Sequence, residues 1–556
     1  MPNFLENIFA QLQRSAGRVV LREIHGEHFV SATGRELLDE VRGIRAYLRS
    51  AGLCAGDRCA LLAPNSIRWT AFDLAVMAEG LIVVPLYARQ SPAELAAMIR
   101  DSEPKLLFVS DAALGDAAMK AWNGDPSSAP RRLLFDEVLQ PPAPAQSIPD
   151  YPNPRPDSDI VTIIYTSGTS GEAKGVCLTT ANITHMLSCT TERLDQLMGQ
   201  TREPDRVFHY APFNFAASWI LLLSCFSRQS VLTLSTDLTK LPDELRLSAP
   251  HYFLNVPTLL ERVRRGVEDA LSKRAAPIRP LFSKAREAWQ RKNAGRTRAT
   301  DAFWLALGRK LIFSKVKERF GPHLRALICG SAPLAPETQQ FFLMLGIPVL
   351  QAYGLTETTA ICTLDDPRVP VEPGYVGQAI PGIEMKIADN EEIIVRGPHI
   401  FAGYWNRPEE IARVLRDGWF HTGDQGEVNA RGNWRIIGRI KNLIILNSGH
   451  NVPPEPIEDK IAQSLPTAQH VVIVGNGRSY LCALIVGAVE PQAVQSALDA
   501  VNPSLPHYRQ IRNFAIIHDA FTSDNGLLTV NGKLRRDAIN ARFASEINSM
   551  YDRKPS

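Results

Sequence analysis

The sequence predicts an α/β protein made of a large N-terminal domain and a smaller C-terminal one, and three observations carry that. Short apolar runs alternate with helical periodicity from about residue 35 to 110, the rhythm returns between residues 160 and 352, and the texture changes after about residue 437. A chain of 556 residues, 45% hydrophobic and 21% charged, is also too long for one small core.

Taken in order, Met1 to Ala10 carries Glu6 and no long apolar core, so it reads as an amphipathic helix, not a signal peptide, and no export is expected. Arg35 to Ala51 and Ala71 to Glu79 have helical spacing, while Asp57 to Leu62 and Leu81 to Pro85 are short apolar strands. Further strands are expected at Ile160 to Tyr165, Ser230 to Leu234, Leu324 to Cys329 and Pro348 to Ala352, in parallel sheet. Residues 120 to 157, rich in Pro, Ala, Ser and Asp, read as a surface crossover. After residue 437, Gly438-Arg-Ile-Lys441 interrupts the strands, so the expected domains are 1–437 and 438–556, with a hinge near Lys441.

A net charge of +3 argues against a dedicated nucleic-acid binder, which needs a dense basic face to displace counterions. Eight cysteines without a CxxC pair suggest neither a zinc site nor a disulfide framework, and reduced thiols in a cytoplasmic protein are expected. Apolar runs such as Trp219 to Phe226 fall far short of the roughly 20 residues that span a bilayer. Between Arg262 and Arg319 basic residues greatly outnumber acidic ones, with Trp289, Phe303 and Trp304 interleaved. That stretch reads either as a solvated helical insertion or as a face for an anionic membrane surface or an acidic carrier protein.

The segment Thr166-Ser167-Gly168-Thr169-Ser170-Gly171-Glu-Ala-Lys174-Gly175 follows an apolar strand. Glycines let backbone N–H groups approach phosphate oxygens, hydroxyls donate to them, and Lys174 supplies a charge. On composition alone a generic Ser/Gly turn stays open. Toward the C-terminus, Asn525 to Lys533 is a Gly-punctuated loop presenting one lysine.

The order of residues in the Thr166 segment resembles the signature of the adenylate-forming superfamily, which includes acyl-CoA synthetases, firefly luciferase and nonribosomal peptide adenylation domains. Gly330-Ser-Ala-Pro-Leu334, Tyr353-Gly-Leu-Thr-Glu357, Gly418-Trp-Phe-His-Thr-Gly-Asp424, Gly438-Arg-Ile-Lys441 and Asn531-Gly-Lys533 resemble its further motifs, in order, over nearly the whole chain. The resemblance implies an N-terminal domain of mixed and parallel sheets with helices, and a small mobile α+β C-terminal domain. It implies ATP and Mg²⁺, with Tyr353 stacking on adenine. The backbone of Gly330, Ser331 and Ala332 would line the base, with Ala352 and Gly354 flanking Tyr353. Thr356 would contact phosphate and Glu357 would ligate the metal. Asp424 and Arg439 correspond to ribose contacts. Lys533 would bridge the acid carboxylate and the α-phosphate, with Thr166 and Glu357 as its catalytic partners. The C-terminal domain would rotate about Lys441 between two half-reactions, and Gly449 would leave room for a pantetheine arm.

Leu446 to Glu458 is most similar to the corresponding loop of long-chain fatty acyl-CoA synthetases, which implies a medium- to long-chain fatty acid and CoA. Where amino-acid-activating relatives carry Asp after Phe, this chain has Ala216 after Phe215, which disfavours a free α-ammonium group. Phe215, Trp219 and Val256 are candidate walls of an acyl pocket, with plain core packing as the alternative. Transfer to the phosphopantetheine of an acyl carrier protein remains a second reading. A third, a nucleotide-binding protein without catalysis, is disfavoured by intact Thr166, Glu357, Asp424 and Lys533.

Overall fold

The computed structural model describes residues 3–552 apart from 123, 126, 127, 140–147, 168–172, 200–202, 274–277, 530 and 531. They divide into two units, the first comprising 1–384, 396–420 and 430–434, the second 385–395, 421–429 and 435–556.

The first unit is built on two sheets. Its strands are β1 (Val19–His25), β2 (His28–Thr33), β3 (Arg58–Leu62), β4 (Ile82–Leu86), β5 (Leu106–Val109), β6 (Arg131–Leu134), β7 (Ile160–Ser167) and β8 (Ala173–Thr179). They continue as β9 (Asp205–His209), β10 (Ser230–Leu234), β11 (Tyr252–Asn255), β12 (Ala326–Cys329), β13 (Val349–Tyr353), β14 (Thr363–Leu364) and β15 (Gln378–Ala379). One sheet has nine strands in the order β15-β14-β13-β12-β11-β9-β10-β1-β2, parallel from β13 to β1 and antiparallel at both ends. The other runs from a two-residue strand, Gly403–Tyr404, through β8-β7-β4-β3-β5-β6. The expected alternation thus supplies strands to two mostly parallel sheets whose faces are covered, so the strands read as continuous apolar runs. The helix Ile67–Ala78 shows the same logic, being buried at every position except Arg68.

Two expectations need correction. The segment 120–157 is not only a surface crossover: β6 lies inside it, paired parallel to β5, followed by the turn of helix Phe135–Val138. As an edge strand it buries only Leu133 fully, so its Arg-Arg-Leu-Leu sequence lacks the apolar signature of the inner strands. The basic 262–319 stretch is likewise more than a solvated insertion. Its helices Ile278–Asn293 and Asp301–Gly308 put Leu281, Phe282, Ala285 and Leu305 in the interior, with the first three joining the core of Phe208, Phe253 and Leu327. Phe303 is left exposed.

In the second unit, strands His470–Val474, Leu481–Val486 and Ile511–Ile517 form a three-stranded sheet with one antiparallel and one parallel pairing. Helices Glu455–Ser464 and Pro491–Val501 pack on it through Ile457, Ile461, Val494 and Leu498. The buried Glu458 accepts from the Ile473 N–H at 2.7 Å and is bound by both terminal nitrogens of Arg536 at 2.8 and 2.6 Å. Burial pushes the Glu458 carboxyl up, against the pull of that guanidinium. Among the described residues no helix is long and apolar enough to cross a membrane.

Candidate active site

β7 and β8 form an antiparallel hairpin in which Thr166 stands opposite Lys174 and Ser167 opposite Ala173. Gly168, Thr169, Ser170 and Gly171, between them, lie outside the described residues. Past the hairpin tip side chains crowd Gly175: a Cβ there would sit 2.6 Å from the Ile163 Cγ2 and 3.3 Å from the Trp405 Cβ. That crowding arises because Gly403–Tyr404 adds to the free edge of β8, with Tyr404 opposite Val176 and the Trp405 N–H donating to the Gly175 carbonyl at 2.7 Å. The Lys174 ammonium pairs with the Glu410 carboxylate and stands 5.3 Å from the centre of the Tyr404 ring.

The second element of the site is the turn after β13. β12 and β13 run parallel with Cys329 beside Gln351, so Gly330 comes next to Ala352, where a Cβ would lie 3.0 Å from the Ala352 carbonyl oxygen. Ser331 holds a left-handed φ of 72°, and Ala332 follows it. Tyr353, half-buried, ends β13. A Cβ on Gly354 would come within 2.3 Å of the Ala360 carbonyl oxygen and 2.5 Å of the Ile361 Cα, so only glycine fits there. Thr356 and Glu357 open a single 3₁₀ turn pinned by Thr358, whose hydroxyl accepts from the Leu355 N–H at 2.9 Å. Thr359 and Ala360 then take left-handed φ angles of 51° and 92° in succession. For a β-branched residue this is costly backbone, and it persists because the Thr359 hydroxyl donates to the His399 carbonyl at 2.7 Å. The Glu357 carbonyl accepts from the Phe401 N–H at 2.9 Å, and Glu357 Oε1 accepts from the Tyr404 hydroxyl at 2.8 Å.

Among the described residues no three His, Cys, Asp or Glu side chains converge on a metal position. A single carboxylate with hydroxyls beside it still suits Mg²⁺, which typically takes one or two carboxylates and completes its shell with substrate phosphates and water. Glu357, with one oxygen held by Tyr404 and Thr356 adjacent, offers that donor set.

The second unit holds Asp424, Arg439, Lys441, Gly449 and Lys533. Arg439 Nε donates to Asp424 Oδ1 at 2.8 Å and its Nη1 donates to the Thr422 carbonyl at 3.1 Å. Lys441 is half-buried, and burial, then the charge of Arg439, holds its ammonium pKa below the usual value. Lys533 sits on a tight turn whose backbone closes on Thr529: the Thr529 N–H donates to the Lys533 carbonyl at 2.7 Å and the Lys533 N–H donates to the Thr529 hydroxyl at 3.1 Å. Gly449, at a φ of 82° with open space around its Cα, closes the turn from Leu446 to His450.

Of the acyl-pocket candidates, Phe215 caps the start of helix Ala216–Ser227, 6.5 Å from the Tyr87 ring. Val256 follows β11, its N–H donating to the Tyr210 hydroxyl at 3.3 Å. Trp219 is fully buried and donates its indole N–H to Asp73 Oδ2 at 3.0 Å. Burial pushes the Asp73 carboxyl up to about 7; His209, its ring stacked 5.3 Å from Phe213, is held down to about 4 by its own burial.

Reading the sequence missed Tyr404, Glu410 and Asp101. Asp101 accepts from the Tyr165 hydroxyl and from Arg407, each at 2.7 Å, and so ties β7 to the segment after Tyr404. Their only local signal was an aromatic pair, Tyr404-Trp405, between Gly403 and Asn406-Arg-Pro408.

Comparison with known proteins supplies the family. The AMP-binding enzyme family matches residues 8–405, and the AMP-binding enzyme C-terminal domain matches 441–555. The long-chain-fatty-acid–CoA ligase FadD15 of Mycobacterium tuberculosis is 26% identical, covering 99% of this chain and 97% of that protein. A second protein of that organism, named as a fatty-acid–CoA ligase, FadD11, is 32% identical over 71% of this chain and 74% of its own. The chloroplastic long-chain-fatty-acid–[acyl-carrier-protein] ligase AEE15 of Arabidopsis thaliana is 27% identical over 97% of this chain and 85% of its own. The fold is shared with the adenylation domain of a carboxylate reductase of Mycobacterium chelonae, at a TM-score of 0.76 and 22% identity, covering 99% of this chain and 91% of that one. The chain therefore belongs to the AMP-binding enzymes of the adenylate-forming superfamily.

Proposed function

We propose that the enzyme joins a medium- to long-chain fatty acid to the thiol of CoA in two steps. A carboxylate oxygen attacks the α-phosphorus of ATP, pyrophosphate leaves, and acyl-AMP forms. The thiol, losing its proton, then attacks the acyl carbon and AMP departs with both electrons of the broken C–O bond. The observation that carries this reading is that the β7–β8 hairpin and the Glu357 turn meet through Tyr404, which brings Lys174 and Glu357, the residues read as phosphate and cation partners, to one side chain.

Thr166, Ser167, Gly168, Thr169, Ser170, Gly171 and Lys174 hold the phosphates. Gly330, Ser331, Ala332, Ala352, Tyr353 and Gly354 receive adenine, while Asp424 and Arg439 take the ribose. Thr356 contacts phosphate, and Glu357 would hold Mg²⁺, which when bound offsets phosphate charge. Residues 438–556 act as a lid turning about Lys441: they bring Lys533 to the carboxylate and α-phosphate, then withdraw it in favour of Gly449 and the thiol. Phe215 and Val256 wall the acyl chain, whereas the full burial of Trp219 favours the core-packing alternative for that residue. The chain works in the cytoplasm.

The second reading, transfer to the phosphopantetheine of a carrier protein, is favoured by the likeness to an acyl-carrier-protein ligase and by the basic 262–319 segment, which would equally suit an anionic membrane surface. ATP–pyrophosphate exchange over a panel of acids, followed by offering the adenylate to CoA and to holo carrier protein, tests both. Exchange with no acid refutes adenylation, and turnover with carrier protein alone refutes the CoA reading.

A further inference from the structure

Tyr404 occupies a position whose only local mark is its pairing with Trp405. Its strand is only two residues long, yet it completes the edge of β8, the strand that leaves the phosphate hairpin. From there the side chain is buried, its ring edge-on to Phe401 at 4.8 Å and its face 5.3 Å from the Lys174 ammonium. The hydroxyl reaches across to Glu357 Oε1 at 2.8 Å. Three residues earlier the same segment grips the turn a second time, through the Phe401 N–H on the Glu357 carbonyl.

We infer that Tyr404 is a positioning residue: it aims the Glu357 carboxylate at the cation of the nucleotide and holds Lys174 in register with it. A glutamate on a one-turn 3₁₀ helix has three rotatable bonds and no neighbouring turn to fix them. The hydroxyl fixes one oxygen by donating to it, which leaves the other to face a cation, and partners of this kind set ligand orientation and basicity. The aromatic face does the complementary task for the lysine, adding its attraction to that of the Glu410 carboxylate on the same ammonium. The inference rests on the reading of Glu357 as the metal ligand and names a residue that acts on the metal only through it.

Tyr404→Phe separates the two tasks, because it keeps the ring and removes only the hydroxyl. Mn²⁺ binding to the full-length protein, read by electron paramagnetic resonance in the presence of a non-hydrolysable ATP analogue, is expected to weaken about 10-fold in the variant. Metal-free binding of the analogue should stay within about twofold. Tyr404→Leu, which removes the ring as well, should weaken the metal-free binding too. A cycle with Glu357→Gln supplies the second measurement: Tyr404→Phe should cost Mn²⁺ affinity in the native background and nothing further in the Glu357→Gln one. An unchanged Mn²⁺ affinity in Tyr404→Phe overturns the inference, as does an equal further loss in Glu357→Gln. A native protein that binds Mn²⁺ with the analogue yet loses nothing on Glu357→Gln overturns instead the reading of Glu357, and the inference falls with it.

Discussion

Arg439 Nε donates to Asp424 Oδ1 at 2.8 Å, and Asp424 is almost wholly buried while Arg439 is not. A carboxylate in that setting has one oxygen committed to the guanidinium and depends on it for charge compensation. Asp424→Asn is therefore expected to raise the KM for ATP about tenfold, the worth of one charge-assisted hydrogen bond. Steady-state kinetics in ATP check this, and an unchanged KM would argue that the pair is purely structural.

Lys533 stands on a turn closed by Thr529 backbone and hydroxyl contacts, so its truncation should leave the turn in place. Lys533→Ala is expected to slow adenylate formation from acid and ATP by about 10²–10³, as loss of a transition-state charge partner does. Thioester formation from supplied acyl-adenylate should be largely spared. Equal losses in the two assays would refute the division of labour.

The Lys174–Glu410 pair sets a carboxylate against the same ammonium that nucleotide phosphates would use. Partly exposed pairs are worth about 0–1 kcal/mol, so Glu410→Gln should lower the KM for ATP by up to about fivefold. A rise in KM would show that Glu410 instead helps to hold Lys174 in place.

Asp73 gives a pH dependence with a definite sign. Its carboxyl is raised by burial from an ordinary value of 3.8 to about 7, so the folded state binds a proton more tightly than the unfolded one. The stability it contributes is whole at low pH and falls as pH rises from about 4 to about 7, by on the order of a few kcal/mol. Asp73→Asn, which keeps an acceptor for the Trp219 indole, should flatten that fall. Melting temperatures from pH 5 to 8 check it, and parallel curves for the two proteins would place the titration elsewhere.

Gly354 is expected to tolerate no side chain. Gly354→Ala would drive a Cβ into the Ala360 carbonyl and the Ile361 Cα, and these are backbone atoms that cannot swing aside. A melting temperature lowered by several degrees, together with loss of ATP binding, is the expected outcome.

Much of the fold is legible along the chain because inner strands of a covered sheet must be apolar throughout. Ser230 to Leu234 emerges with its expected bounds, and the helix expected from Arg35 begins one residue earlier because Thr33 caps it. β6 escapes since an edge strand needs only one buried residue. The candidate site was read from the order of its motifs, which resembles that of the adenylate-forming superfamily; taken singly, a glycine among hydroxyls or a lysine between turns leaves an ordinary loop open. Tyr404 was not legible, because a tyrosine in an apolar run is ordinary, and its meaning comes from pairing with a strand about 230 residues away in sequence.

That long-range pairing also bears on how the protein is made. A ribosome releases β8 well before it reaches Gly403–Tyr404, so through the synthesis of roughly 230 residues the β8 edge lacks this partner, and Glu357, once made, still waits for the Tyr404 hydroxyl. The nascent chain consequently passes through a long interval in which the phosphate hairpin exists without its cation partner in place. An unpaired edge invites association with other strands, so chaperone protection should be needed most in that interval and should end once the segment bearing Tyr404 has emerged.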